Sequence, residues 1–404
     1  AARFTSSVEQ AHNRFRPRGL ESRFRWEFAD PRFNVALNPK EPFKFGWIVE
    51  LDPQDALKPI KKRTALGRFK HEGATTVVAP DGRVVVYMGD DQAFEYLYKF
   101  VTRDAMDPEN PESNVDLLDS GTLYVARFSE DGSGKWVPMV WGEHTALSLE
   151  NGFGSQGDIV LRCREAADLV GATPMDRPED IAVSPCTNKV YLSCTRNSDR
   201  GEGEVESAGR VVNSSANWAN PRTPNSWGHI VELSEYGADA SATEFRWEIF
   251  LLAGDPEVGR FLTMLDPGSL VSDPDSTYFA GYSDSNDLSA IASPDNLTFD
   301  DAGNLWITTD GEQPRGNNDG CFVCPTGGAS RGAVRQFMSG PIGCEVSGCE
   351  ITPDGKSLLL SVQHPGEGGT VETPVSSWPD GGTAAPRPSV VAVRPEDPRR
   401  KLTG

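Results

Sequence analysis

The sequence predicts an all-β chain folded as a β-propeller, on three observations. Short β-branched runs are separated by turn clusters such as Pro80-Asp81-Gly82 and Pro353-Asp354-Gly355. Helical periodicity is scarce across the 404 residues, whereas Gly (40) and Pro (30) are plentiful. A four-part segment of acidic motif, apolar strand, tight turn and second apolar strand also recurs along the chain.

The first copy opens at His71-Glu72-Gly73, runs through residues 74–79, turns at Asp81-Gly82 and continues over 83–88. The second opens at Arg177-Pro178-Glu179-Asp180, turns at Thr187-Asn188 and continues over 189–193. The third opens at Ser293-Pro294-Asp295-Asn296, turns at Ala302-Gly303-Asn304 and continues over 305–308. The fourth runs from Cys344-Glu345-Val346 through Glu350, turns at Asp354-Gly355 and continues over 356–362. Tight Asp-Gly or Asn-Gly turns between short apolar strands make hairpins.

Copies lie roughly 50 to 120 residues apart, beyond the usual propeller repeat of about 40 to 50. The excess falls in Gly/Ser/Pro/Asn-rich stretches such as 197–226, which read as loops. Further apolar runs at 121–128, 136–141, 229–233 and 245–252 complete a four-stranded blade. Four complete blades are legible, preceded by a half-blade at 46–51 and 63–69. A lone half-blade would leave a sheet edge exposed, which folds avoid. Residues 1–404 therefore read as one propeller domain, N-terminally incomplete unless the early segment folds back to fill the gap. Ala1-Ala2-Arg3-Phe4 has neither an initiator Met nor a following signal segment, so a processed or truncated start is expected.

The formal charge of −20, from 59 acidic against 39 basic residues, argues against nucleic acid or an anionic membrane as partner. No apolar run approaches the roughly 18 residues of a spanning helix. Seven cysteines are too few for a disulfide scaffold of this length. Cys321 and Cys324 form a lone CxxC, which reads as a local disulfide or two free thiols rather than a zinc site.

Each acidic motif stands at the start of an inner strand, where a propeller brings its strands to one mouth of the channel. Glu72, Glu179, Asp295 and Glu345 would then face one another. Each alone is an ordinary solvated loop acid; recurrence at one offset makes a shared site the better reading. Clustered carboxylates must be protonated, hydrated or bound to a hard cation such as calcium. Asp90 and Asp91, just after the first hairpin, offer further oxygens, and Asn296 and Glu350 are lesser candidates. Arg177 is two residues before Glu179 and so shares its side of a strand. A guanidinium there would suit a phosphate, or it would simply pair with Glu179. His364, in Gln363-His364-Pro365-Gly366-Glu367, is a candidate ligand or proton donor, while His71 reads as structural. No GxSxG, HExxH, P-loop or GxGxxG motif competes with this assignment.

Several of these stretches, in this order, resemble PhoX-type secreted alkaline phosphatases. They are Gly67-Arg68-Phe69-Lys70-His71-Glu72-Gly73-Ala74, Val84-Val85-Val86-Tyr87-Met88-Gly89-Asp90-Asp91, Met175-Asp176-Arg177-Pro178-Glu179-Asp180, Ser293-Pro294-Asp295-Asn296-Leu297, Asn304-Leu305-Trp306-Ile307 and Gln363-His364-Pro365-Gly366-Glu367. A monomer is expected, and the resemblance implies a six-bladed propeller exported folded by the twin-arginine route to the periplasm or beyond. It implies hydrolysis of small phosphomonoesters at a cluster of ferric iron and calcium. By motif, Glu72 and Glu179 match metal-binding glutamates, Arg177 the phosphate-holding arginine, and Asp295 and Glu345 further ligands. The family's iron-binding Thr-Cys-Glu-Glu motif does not occur here, which makes iron doubtful; Cys344 beside Glu345 is a weak substitute. Two alternatives stand beside this reading: a calcium-propeller lactonase or phosphotriesterase, and a non-catalytic calcium-stabilised binding propeller.

Overall fold

The protein is seen here as a computed structural model that describes residues 25–402 apart from Ala56 and Pro398. The chain start, read above as processed or truncated, lies outside the described residues. Strands dominate, as the β-branched runs require. A two-stranded sheet comes first, β1 (Ile48–Glu50) with β2 (Lys61–Arg63), where the half-blade was expected. Its second strand is shorter than expected, because Thr64–Leu66 winds into a 3-10 turn and Gly67 has φ +87°.

An eleven-stranded sheet follows. Its first arm is β3 (His71–Val78), β4 (Arg83–Asp90), β5 (Leu97–Ala105), β6 (Gly121–Phe128) and β7 (Ser133–Pro138), an antiparallel meander. Its second arm contains β8 (Pro178–Val183) and β9 (Val190–Cys194), followed after a small separate hairpin, β10 (Glu204–Ser207) and β11 (Arg210–Asn213), by β12 (His229–Glu235) and β13 (Glu244–Leu252). The short strands β14 (Phe261–Leu262) and β15 (Thr277–Phe279) extend it beside β13. A third sheet holds β16 (Pro294–Phe299), β17 (Asn304–Thr309), β18 (Gly320–Pro325) and β19 (Arg335–Ser339). A last one holds β20 (Glu345–Ile351), β21 (Leu358–Gln363) and β22 (Ser389–Val393).

The six-bladed propeller is therefore corrected. All four expected hairpins form, but the first two groups are not separate blades. Lys135, Gly134 and Ser133 of β7 pair with Glu244, Phe245 and Arg246 of β13, fusing them into one sheet. Gly134 permits this join: the Phe245 ring lies 2.2 Å from where a Cβ would stand. The nine-strand path that runs from β3 through β7 and β13 to β8 curls until its two end strands are neighbours. Thr75 Oγ1 on β3 donates to Ile181 O on β8 at 2.5 Å, so the path is nearly closed. Closure of this kind leaves fewer exposed edges than discrete blades would.

The curled sheet encloses one apolar core, with Val85, Tyr87, Trp136, Leu192, Leu233 and Trp247 among its buried members. A second core on its outside packs Val86, Met88 and Tyr98 under two short helices, Gln156–Leu161 and Cys163–Leu169. These helices depart from the all-β expectation. Ser155 caps the first by accepting from Asp158 N at 3.3 Å. Two smaller cores join the third sheet to the large one and to the fourth. Among the described residues no helix is long and apolar enough to cross a membrane.

Candidate active site

Four strands, β3, β8, β16 and β20, lie side by side at the centre. Thr75 to Ile181 links the first two; Leu297 N donates to Asp180 Oδ2 at 3.0 Å between the second and third. Gly348 N donates to Asn296 Oδ1 at 2.6 Å between the third and fourth. Every one of the four slips register against its hairpin partner at the acidic motif: between Glu72 and Thr75, Pro178 and Ile181, Pro294 and Leu297, and Ser347 and Glu350. A bulge releases its residues from the pleat and re-aims their side chains. Nearby φ values of +72° at Gly73, +56° at Arg177, +49° at Ser293 and +52° at Gly348 mark the same bend.

The bulges gather Glu72, Glu179 and Asp295, whose ligand oxygens lie within 4.8 Å of one another. Glu179 and Asp295 are buried and Glu72 half-buried. Burial, then the charges of Asp91 and Asp180, push the Glu72 carboxyl up to about 7. Burial and the neighbouring carboxylates raise Glu179 and Asp295 well above the ordinary range: Asp295 and Asp91 act on Glu179, and Glu72, Asp310 and Glu345 act on Asp295. Arg177 Nη2 lies 2.7 Å from Glu179 Oε1, yet that buried oxygen receives no hydrogen bond. Three convergent carboxylates with an unsatisfied buried oxygen fit a divalent cation with oxygen ligands.

Arg177 also donates from Nε to Asp91 Oδ1 at 2.9 Å, which fixes the guanidinium at the rim of the cluster. Asn296 Nδ2 donates to Glu72 Oε1 at 3.2 Å. Glu345 stands next to the cluster without joining it, accepting from Gln363 Nε2 at 2.5 Å and lying 3.2 Å from His364 Nε2. Burial opposes charge on His364, but Glu345 and Glu367 outweigh it and raise the imidazole. His71 donates from Nε2 to Gly67 O at 2.9 Å and stacks on Phe69, a packing position.

Asp90 does not join the cluster. Its carboxylate is wholly buried against Arg164, 2.7 Å from Nε, and accepts from Lys70 N at 3.2 Å. Asp91, one residue later, takes the position by Arg177 because successive strand residues point to opposite sides. Glu350 is exposed on β20, outside the gathered carboxylates. Sequence reasoning missed Asp310, which lies close enough to raise both Asp295 and Glu345. Its signal was available: it follows the second strand of the third hairpin as Asp91 follows that of the first.

The class these features define is a β-sheet protein with a cluster of carboxylates suited to a divalent cation beside a fixed arginine. The family described as alkaline phosphatase PhoX matches residues 2–366, and the chain belongs to it. Among solved structures, Pseudomonas fluorescens PhoX in complex with vanadate, a transition state analogue, is 39% identical with a TM-score of 0.80. The alignment covers 93% of this chain but only 61% of that one, so this chain spans less than two thirds of its relative. A gluconolactonase from Xanthomonas campestris is 12% identical over 74% of this chain and 71% of its own, with a TM-score of 0.24. A putative glucose dehydrogenase from Thermus thermophilus is 14% identical over 78% and 84%, with a TM-score of 0.29. A comparison with curated proteins finds no match.

Proposed function

We propose that this chain hydrolyses small phosphomonoesters at a calcium centre held by Glu72, Glu179 and Asp295, outside the cytoplasm. The observation that carries the reading is Arg177, fixed between Asp91 and Glu179 at the edge of the carboxylate cluster. Membership of the PhoX family and the vanadate bound by the Pseudomonas fluorescens relative support it.

Nη1 of Arg177, which its contacts with Asp91 and Glu179 leave open, holds a phosphoryl oxygen and stabilises the charge it gains as the ester bond breaks. Asp91 keeps the fork turned toward the cluster. Asn296 restrains Glu72, and Leu297 N and Ile181 N hold Asp180 as a braced carboxylate behind it. Glu72, Glu179 and Asp295 would hold the cation as ionised carboxylates. A bound cation would polarise a phosphoryl oxygen and offset negative charge in the transition state.

Calcium suits the all-oxygen donor set better than iron held by thiolate. Cys344 is buried in the core between the third and fourth sheets and is not one of the gathered ligand groups. The test is elemental analysis and p-nitrophenyl phosphate turnover on one purified sample. Calcium with turnover is expected; calcium without turnover would leave a cation-binding module and remove the catalytic reading.

A further inference from the structure

The Cys321 and Cys324 thiols do not work as a unit. Strand β18 sends Cys321 into the core between the third and fourth sheets and Cys324 into the core on its other side. That geometry rules out the local disulfide considered from the sequence. Cys321 instead shares that core with Cys349 of β20: both are free thiols, 0% and 6% exposed, and Cys321 beside it, then burial, raises the Cys349 thiol. Cys349 lies in the β20 bulge, where register passes from Ser347 directly to Glu350. It therefore has no ladder partner on β21, and its side chain is spent on the neighbouring sheet.

We propose that Cys321 and Cys349 form a disulfide that staples the third sheet to the fourth. A thiolate metal site is the competing use of such a pair. Among the described residues, however, Glu72, Glu179 and Asp295 are the one gathering of three ligand groups, and Cys344 makes no third ligand for the thiols. The carboxylate of Asp180 also faces Cys349 and disfavours a standing thiolate there. In the bond-forming reaction two S–H bonds break and one S–S bond forms. The two electrons and two protons pass to an external disulfide, such as oxidised glutathione or a thiol–disulfide oxidant protein, which leaves as two thiols.

The staple would act on the site through one neighbour. Gly348, beside Cys349, donates its N–H to Asn296 Oδ1, and Asn296 Nδ2 donates to Glu72. Pinning the bulge thus fixes the amide that restrains Glu72. The bond itself does not depend on the phosphatase reading.

The experiment holds the purified chain in oxidised glutathione, unfolds it in alkylating reagent, digests it and maps the peptides by mass spectrometry. A linked Cys321–Cys349 peptide is expected, with the other five of the seven cysteines alkylated. Recovery of Cys321 and Cys349 both alkylated, or linked to other cysteines, would overturn the proposal. As a second readout, reductant should lower the melting midpoint of the oxidised wild type by several degrees and leave the C321S/C349S variant unmoved. An equal drop in both would count against the staple. Should that variant not fold, the peptide map on the wild type decides alone.

Discussion

A Cβ on Gly89 would stand 2.0 Å from the carbonyl oxygen of Glu179, so β4 and β8 meet backbone to backbone behind the site. Both contacting atoms belong to main chain, and neither can swing away. Gly89→Ala should therefore part the strands, at a cost of about 3 kcal/mol or more. Because the displaced residue is Glu179, calcium affinity should fall with the melting midpoint. Gly327→Ala is the control, since nothing lies within 4 Å of its added carbon. Thermal melts with and without calcium check both; an unchanged Gly89→Ala melt would contradict the packing.

Arg177 combines a left-handed backbone, φ +56°, with two carboxylate partners. Arg177→Ala should lower kcat on p-nitrophenyl phosphate by about 10²-fold or more, the usual loss for a donor to transition-state charge. Arg177→Lys should recover only part, because a point charge lacks the fork. Calcium stoichiometry should hold in both variants. Loss of calcium with activity would make Arg177 a support for Glu179 alone.

The gathered carboxylates were legible because their offset repeats: each acid precedes an apolar strand and a tight turn. What gathers them is the shared bulge, which Gly73 and Gly348 hint at but which nothing in the local pattern marks at Glu179 or Asp295. Asp90 and Asp91 could not be separated by reading, since only the strand's phase decides which faces Arg177 and which faces Arg164. The β7–β13 join was hidden because it pairs residues far apart in sequence through Gly134, which resembles any turn glycine. Helices of six and seven residues are too short to show a 3.6-residue period. The CxxC spacing left a local disulfide and two free thiols open; the strand decides, setting the two free thiols in different cores.

Removing the cation should expose the repulsion it relieves. In the metal-free chain Glu72 sits near 7, above its ordinary 4.5, so the folded state holds the extra proton. Stability from this group is full below pH 4.5 and is lost as pH rises through 7. With EDTA present, the melting midpoint should thus fall between pH 5 and 8 by an amount worth about 1–3 kcal/mol. Saturating calcium should oppose that fall, by about 2.7 kcal/mol at a hundredfold excess over Kd. Glu72→Gln should be the more stable chain in EDTA at pH 8 and should lose most of the calcium response. A wild-type melt indifferent to both EDTA and pH would refute the assignment.

His229 gives the opposite pH dependence. It is fully buried, accepts from Asn225 Nδ2 at Nδ1 and donates from Nε2 to Ala219 O, both at 2.9 Å. Burial pushes its pKa down to about 4, with the Arg222 and Arg200 charges helping and Asp176 opposing. Here the unfolded chain binds the extra proton, so stability is complete above pH 6.5 and drains away as pH falls through 4. Between these limits about 3 kcal/mol should be lost through this one ring. With calcium saturating, so that the carboxylates stay ionised, wild type should melt progressively lower from pH 6.5 to 4. His229→Gln should start less stable at pH 7, having given up the paired ring, but should lose less over the same interval. Parallel curves for the two chains would place the acid sensitivity elsewhere, with His71 the next ring to test because burial lowers it to about 4 as well.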